Sequence, residues 1–123
     1  MESRSAFAIS LPSLIKAHLK QGVIWALERA VAADPYLAEA WNGLAVVRMR
    51  AGDESGAIEA WRRAIAADAN LRDALYNLGV VLGRLGDRDG AVEALRRYAA
   101  LVDGAEREEA LAMLSALGAA PDR

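Results

Sequence analysis

The sequence predicts an all-α protein: a right-handed α-α superhelix of about three helix pairs, closed by a C-terminal capping helix. Three observations carry this. Residues 38–71, AEAWNGLAVVRMRAGDESGAIEAWRRAIAADANL, read as two amphipathic helices around one tight turn. Much of that stretch recurs thirty-four residues to either side: Gly22, Gly56 and Gly90 are equally spaced, as are Ala26, Ala60 and Ala94, and Arg29, Arg63 and Arg97. A fixed period of this length marks stacked units, each of which buries its apolar face only against its neighbours. Finally, the 54% hydrophobic fraction is rich in alanine, and only seven of 123 residues are aromatic. Alanine is the best helix former and lets helices approach closely.

Taken in order, residues 1–21 are the least regular. Leu11, Leu14, Ile15, Ala17, His18 and Leu19 suit one helix face, with Pro12 in the first turn, where its missing N–H costs nothing. Ser10 or Ser13 is the candidate N-cap. The reading is a degenerate first helix, ended by a turn at Lys20-Gln21-Gly22. Residues 22–103 hold the repeats. The helix over 22–33 carries Val23, Ile24, Leu27, Ala30 and Val31 at helical spacing and stops at Asp34-Pro35. A helix over 38–51 packs through Trp41, Leu44 and Ala45. Gly52-Asp53 then turns the chain, and Ser55 is the candidate cap of a helix over 56–67 that buries Ala57, Ile58, Trp61, Ala64 and Ile65. The third copy answers with Leu75, Leu78, Gly79 and Leu82, the turn Gly86-Asp87, and Ala91, Val92 and Leu95. Residues 104–118 hold the capping helix, with acidic residues in its first turn and Leu111, Leu114 and Leu117 on one side. A short tail, 119–123, follows.

Composition excludes several classes. A formal charge of -2, with acidic residues interspersed among thirteen arginines and two lysines, provides no basic stripe for nucleic acid. Without cysteine there is no disulfide and no thiolate metal site. No apolar run approaches the roughly 20 residues that span a bilayer, and the N-terminal stretch is a poor secretory signal. The expected setting is the cytoplasm. Catalysis has little to stand on: His18 is the only histidine, and pairs such as Asp53-Glu54 or Glu108-Glu109 sit at turns and helix starts. No cofactor and no metal are expected.

With these residues in view, the chain resembles the tetratricopeptide repeat family. Repeat two supplies Trp41, Leu44-Ala45, Gly52-Asp53, Ala57, Trp61 and Ala64, with Ala69 where the family usually has proline. Repeat three supplies Leu75, Leu78-Gly79, Leu82, Gly86-Asp87, Ala91 and Leu95, and repeat one supplies clearly only its second helix. Three departures stand out. Tyr98 replaces the second small residue of repeat three, and the capping helix fits best with about two residues inserted around 102–105. Arg48 fills a slot usually held by a bulky residue, so its stem is expected in the packing and its guanidinium in water.

The resemblance implies a non-catalytic adaptor that binds a peptide segment of a partner protein in a concave groove lined by the first helix of each pair. Carried over by register, the groove positions are Glu39, Asn42, Gly43, Val46, Met49 and Arg50, then Asp73, Tyr76, Asn77, Val80, Gly83 and Arg84. Tyr76 and Met49 offer adaptable contact area. Asn42 and Asn77 suit a peptide backbone, and Arg50 and Arg84 suit carboxylates. The bland reading is that these residues only solvate the inner face. In chaperone co-factors of the family, lysines and asparagines grip a C-terminal carboxylate. Here Asn77 falls at an asparagine position, but Gly43 falls at the equivalent place one repeat earlier, and Asn42 and Tyr76 stand where lysines would, which argues against that clamp.

The rival reading is a structural subunit that self-associates or docks through an apolar N-terminal patch including Phe7 and Trp25. Trp25 stands where later repeats have Glu59 and Glu93. It packs beneath the N-terminal segment or meets another chain.

Overall fold

The computed structural model describes residues 11–119, with side chains from residue 21 onward. Six helices and no strand occur among the described residues: α1 (Leu11–Ala33), α2 (Ala38–Arg50), α3 (Glu54–Ala67), α4 (Arg72–Leu85), α5 (Arg88–Ala99) and α6 (Gly104–Ala116). α2 pairs with α3 and α4 with α5. α1 and α6 flank these two pairs at the ends of the stack.

Both complete turns are built from the same Gly-Asp chemistry. Gly52 and Gly86 take φ of +88° and +90°, a left-handed conformation that lets the helix end on itself. The next residue then opens the following helix. Asp53 accepts a hydrogen bond from the Gly56 N–H at 2.9 Å, and Asp87 accepts one from the Gly90 N–H at 3.0 Å. The N-cap of α3 is therefore Asp53 rather than Ser55, and α3 and α5 begin two residues before their glycines. A carboxylate two bonds out from the backbone reaches the third N–H of the helix as well as a serine does. Gly56 lies under the Asp53 carboxylate, with no room for a Cβ. The turns between repeats share a second device: Asp34 Oδ1 and Asp68 Oδ1 each accept the N–H two residues on, at 3.0 Å.

The expected turn at Lys20-Gln21-Gly22 is absent, and α1 runs unbroken for 23 residues. The repeat register explains why. His18 and Leu19 occupy the places of Gly52-Asp53 and Gly86-Asp87, so repeat one has neither the left-handed glycine nor the capping carboxylate. A single glycine at position 22 costs a helix only about 1 kcal/mol. Position 19 is a leucine rather than an aspartate, and among the described residues nothing lies within 4 Å of a would-be Cβ on Gly22. Of the two N-cap candidates, Ser13 lies inside α1 and Ser10 lies outside the described residues.

The core runs from Val31 of α1 through Leu44, Ala45, Ala57, Ala60, Trp61, Ala64, Ala74, Leu78, Val81, Leu82 and Ala91. Alanines line each α2/α3 and α4/α5 seam, which lets the helices close in. Gly79 takes this furthest: a Cβ there would fall 2.7 Å from Leu95 Cγ. Two smaller clusters seat α6, through Leu75, Tyr98, Ala99, Val102 and Ala110, and through Val92, Leu95 and Leu114. Buried Ala110 and Leu114 stand 36 residues after buried Ala74 and Leu78, two more than the repeat step. Arginine side chains tie helix ends to the last two helices. Arg88 donates to the Leu117 and Gly118 carbonyls at 2.7 and 3.1 Å, and Arg107 to the Ala99 carbonyl at 3.0 Å.

Candidate functional site

The face shared by α2 and α4 forms a cleft of about 220 Å³ lined by Val46, Met49, Arg50, Trp61, Tyr76, Asn77, Val80 and Val81. Six of these are residues that the register assigned to the groove. Helical spacing brings them together: Val46, Met49 and Arg50 project from one side of α2, and Tyr76, Asn77 and Val80 from the matching side of α4. Trp61, reaching through from α3, and Val81 complete the lining. Sequence reasoning placed Trp61 in the packing alone. Its indole is 2% exposed and serves as both core and floor.

The polar groups behind the cleft form a short chain. Asn42 Oδ1 accepts from Trp61 Nε1 at 2.9 Å and from Asn77 Nδ2 at 3.4 Å. Its oxygen is thus engaged by the indole and the second asparagine. At the rim Arg84 lies 3.8 Å from Met49 Sδ and 3.6 Å from Glu54 Oε2. Glu39 and Asp73, in the first turns of α2 and α4, are exposed and do not line the cleft. Gly43 and Gly83 face other helices: a Cβ on Gly43 would meet Leu27, and one on Gly83 would meet Ala91 and Leu117.

Tyr76 has a rigid backing. Its ring centroid is 5.2 Å from that of Tyr98, with the planes tilted by 54°. Tyr98, which displaces a small residue of the repeat pattern, is buried and directs its hydroxyl to Glu106 Oε2 at 3.4 Å. One side chain thereby links the cleft to the capping helix. Burial, and then the Glu106 carboxylate beside it, push the Tyr98 phenol above its usual value of 10. The folded chain holds that proton more tightly than the unfolded one. Its contribution to stability is therefore complete below pH 10 and is lost as pH rises through 10 towards the folded value. Tyr98→Phe is expected to flatten this alkaline loss while changing the neutral-pH stability only slightly. Urea titrations at pH 7 and above pH 10 read both, and an unchanged alkaline slope would sink the assignment.

Arg48 departs from expectation. Its guanidinium is not left to water: it donates to the Gly56 carbonyl and to Glu28 Oε2, each at 3.2 Å, joining α1, α2 and α3 on the face away from the cleft. Trp25 is 60% exposed, with Arg29 stacked 4.9 Å from its ring centroid. Its proposed companion Phe7 lies outside the described residues. A larger hollow of about 500 Å³ on the outer side of α5 is lined mostly by charged residues, of which Arg88 is already committed to α6. No group of three or more potential metal ligands, and no helix long and apolar enough to cross a membrane, occurs among the described residues.

Comparison with known proteins agrees with the helix-pair fold. Residues 73–105, covering α4, α5 and the turn after them, match the family model described as tetratricopeptide repeat. No curated protein matches the chain by sequence. Among solved structures, MamA protein is similar at 26% identity over 86% of this chain, with a TM-score of 0.66. The chain spans 66% of the length of that MamA chain. The type III secretion translocator chaperone SycD of Yersinia enterocolitica superposes with a TM-score of 0.72 at 16% identity, covering 89% of this chain and 86% of that one. PcrH, solved in complex with the chaperone binding region of PopD, does so with a TM-score of 0.69 at 23% identity over 95% of this chain and 90% of PcrH. At those two identities the likeness is one of fold.

Proposed function

We propose, from the premise that the chain is a tetratricopeptide repeat protein, that it is a non-catalytic adaptor acting in the cytoplasm. It binds a peptide segment of a partner protein in the cleft between α2 and α4. The observation that carries this is the cleft itself, a preformed and largely apolar hollow floored by Trp61 and walled by Val46, Met49, Tyr76 and Val80. At about 220 Å³ it is smaller than the roughly 300–1,000 Å³ usual for small-molecule sites. That size fits one bulky apolar side chain of a longer segment. Walls held by the Asn42 and Tyr98 contacts limit the ordering cost on binding, so a few central residues decide affinity.

The test is selection of peptides on the intact chain, followed by titration of the enriched peptides against Tyr76→Ala with Arg84→Ala. Affinity is expected to fall at least about tenfold, or roughly 1.4 kcal/mol, with the helical content unchanged. Equal binding by the double variant would overturn the cleft as the site. A second reading, a structural subunit that self-associates through its N-terminal end, is favoured by one observation. Val23 and Trp25, at 47% and 60% exposure, leave apolar surface open on α1.

A further inference from the structure

In the two complete repeats the second helix buries a stripe of small residues against its own first helix. Ala57, Ala60 and Ala64 of α3 are fully buried there, and Ala91 and Ala94 of α5 are 0% and 4% exposed. The same register positions on α1 are Val23, Ala26 and Ala30. They are not covered: Val23 is 47% exposed, Ala26 is exposed and Ala30 is half-buried. Among the described residues α1 therefore carries the seam of a second helix with no first helix on it. The segment whose register would fill that seam is the preceding one, through His18. It cannot do so within one copy, because it is part of the same uninterrupted helix as the seam, Leu11–Ala33.

We infer that a second copy of the chain supplies the missing helix, the N-terminal arms of α1 being exchanged between two protomers. The inference deepens the self-association reading and moves its interface from the Trp25 face to the Val23, Ala26 and Ala30 face. Trp25 stands at the position of exposed Glu59 and Glu93, outside the seam.

The α4/α5 pairing fixes the register of the exchange. A Cβ on Gly83 would lie 3.6 Å from the Ala91 Cβ, and one on Gly79 would lie 3.4 Å from the Ala94 Cβ. Moved back two repeats, these pairs become Ile15 with Val23 and Leu11 with Ala26. The first pair is centred on Leu19 and the second midway between His18 and Leu19, within half a residue of each other. Two antiparallel copies of α1 that satisfy the first contact therefore satisfy its mirror image, with Leu19 of each copy near a two-fold axis. A contact that repeats itself under a two-fold closes into a dimer, and exchange of an identical element is a low-cost route to one. The same His18-Leu19 pair that removes the turn makes the arm available for exchange.

The chain has no cysteine, so an introduced pair reports only its own contact. Within one continuous helix residues 15 and 23 stand about 12 Å apart along the axis, beyond the roughly 4.4–6.8 Å between Cα atoms that a disulfide spans. Oxidised Ile15→Cys with Val23→Cys is expected to run as a covalent dimer on denaturing gels that reductant dissolves, with neither single variant forming a covalent dimer. Leu11→Cys with Ala26→Cys is a second register check with the same expectation. The native chain is expected to sediment at twice its 13.1 kDa mass. Installing the missing turn, His18→Gly with Leu19→Asp, is expected to return it to monomer and to convert the 15/23 disulfide to one closed within a single chain. A native monomer at the cross-linking concentration overturns the proposal. So does a 15/23 disulfide closed within one native chain, or none at all in a variant with native circular dichroism. The peptide titration reads a different face, so either proposal can fail without the other.

Discussion

Trp61→Ala is expected to lower the melting temperature by roughly 10–25 °C and to remove the floor of the cleft proposed to bind peptide. The side chain is 2% exposed, at the centre of the main core, and its truncation leaves a cavity shared by α2, α3 and α4. Phe or Trp to Ala changes in cores cost about 3–5 kcal/mol, against a total of about 5–15 kcal/mol for a typical domain. Each kcal/mol moves the midpoint of a domain of this size by several degrees. A further loss comes from Asn42, whose oxygen would keep only the 3.4 Å contact from Asn77. Trp61→Phe separates the two effects, since it keeps most of the volume and removes the N–H donor. It is expected to cost about 1 kcal/mol. Thermal denaturation followed by circular dichroism measures both, and a Trp61→Ala midpoint within a few degrees of the parent would contradict the assigned role.

Gly79→Val is the second large effect, and it has the opposite cause. Valine's Cβ would fall 2.7 Å from Leu95 Cγ and 2.9 Å from Leu95 Cδ2, and Leu95 is itself 1% exposed. The branch point of a buried leucine has no free direction in which to retreat. Overpacking of this kind costs about 1–3 kcal/mol, and the better helix propensity of valine over glycine returns only a few tenths of a kcal/mol. A net loss of about 2 kcal/mol is expected, with a smaller loss for Gly79→Ala. The combined variant Gly79→Val with Leu95→Ala is expected to lose less than the two single changes added together, because each relieves the other. Strict additivity in urea denaturation would show that the close approach of α4 and α5 is not what the glycine serves.

Most of the stack was legible because its signals are local and repeated. Gly52-Asp53 and Gly86-Asp87 name their turns by backbone chemistry, and apolar spacing names the buried side of α2 to α5. The same register brought Val46, Met49, Arg50, Tyr76, Asn77 and Val80 to one cleft. It did not show contacts that depend on a neighbour from another helix. Asn42 looked like a ligand for peptide backbone, and Arg48 like a packed stem with its guanidinium in water. The indole of Trp61 and the pair Gly56 and Glu28 claim them. Glu39 and Asp73 share the stripe of their helices but stand about two turns and one turn before the first cleft residues, Val46 and Tyr76.

The thirty-four-residue period, the alanine-rich seams and the Gly-Asp turns were determined by the sequence alone. Each rests on interactions within a few residues, which a linear pattern records. Tertiary structure decided what covers each helix: that Tyr98 backs Tyr76, that Trp61 floors the cleft, and that α1 runs straight past its own seam. The physical reason is that exposure depends on which surfaces meet. A stripe such as Val23, Ala26 and Ala30 reads the same in a sequence whether or not a helix lies on it.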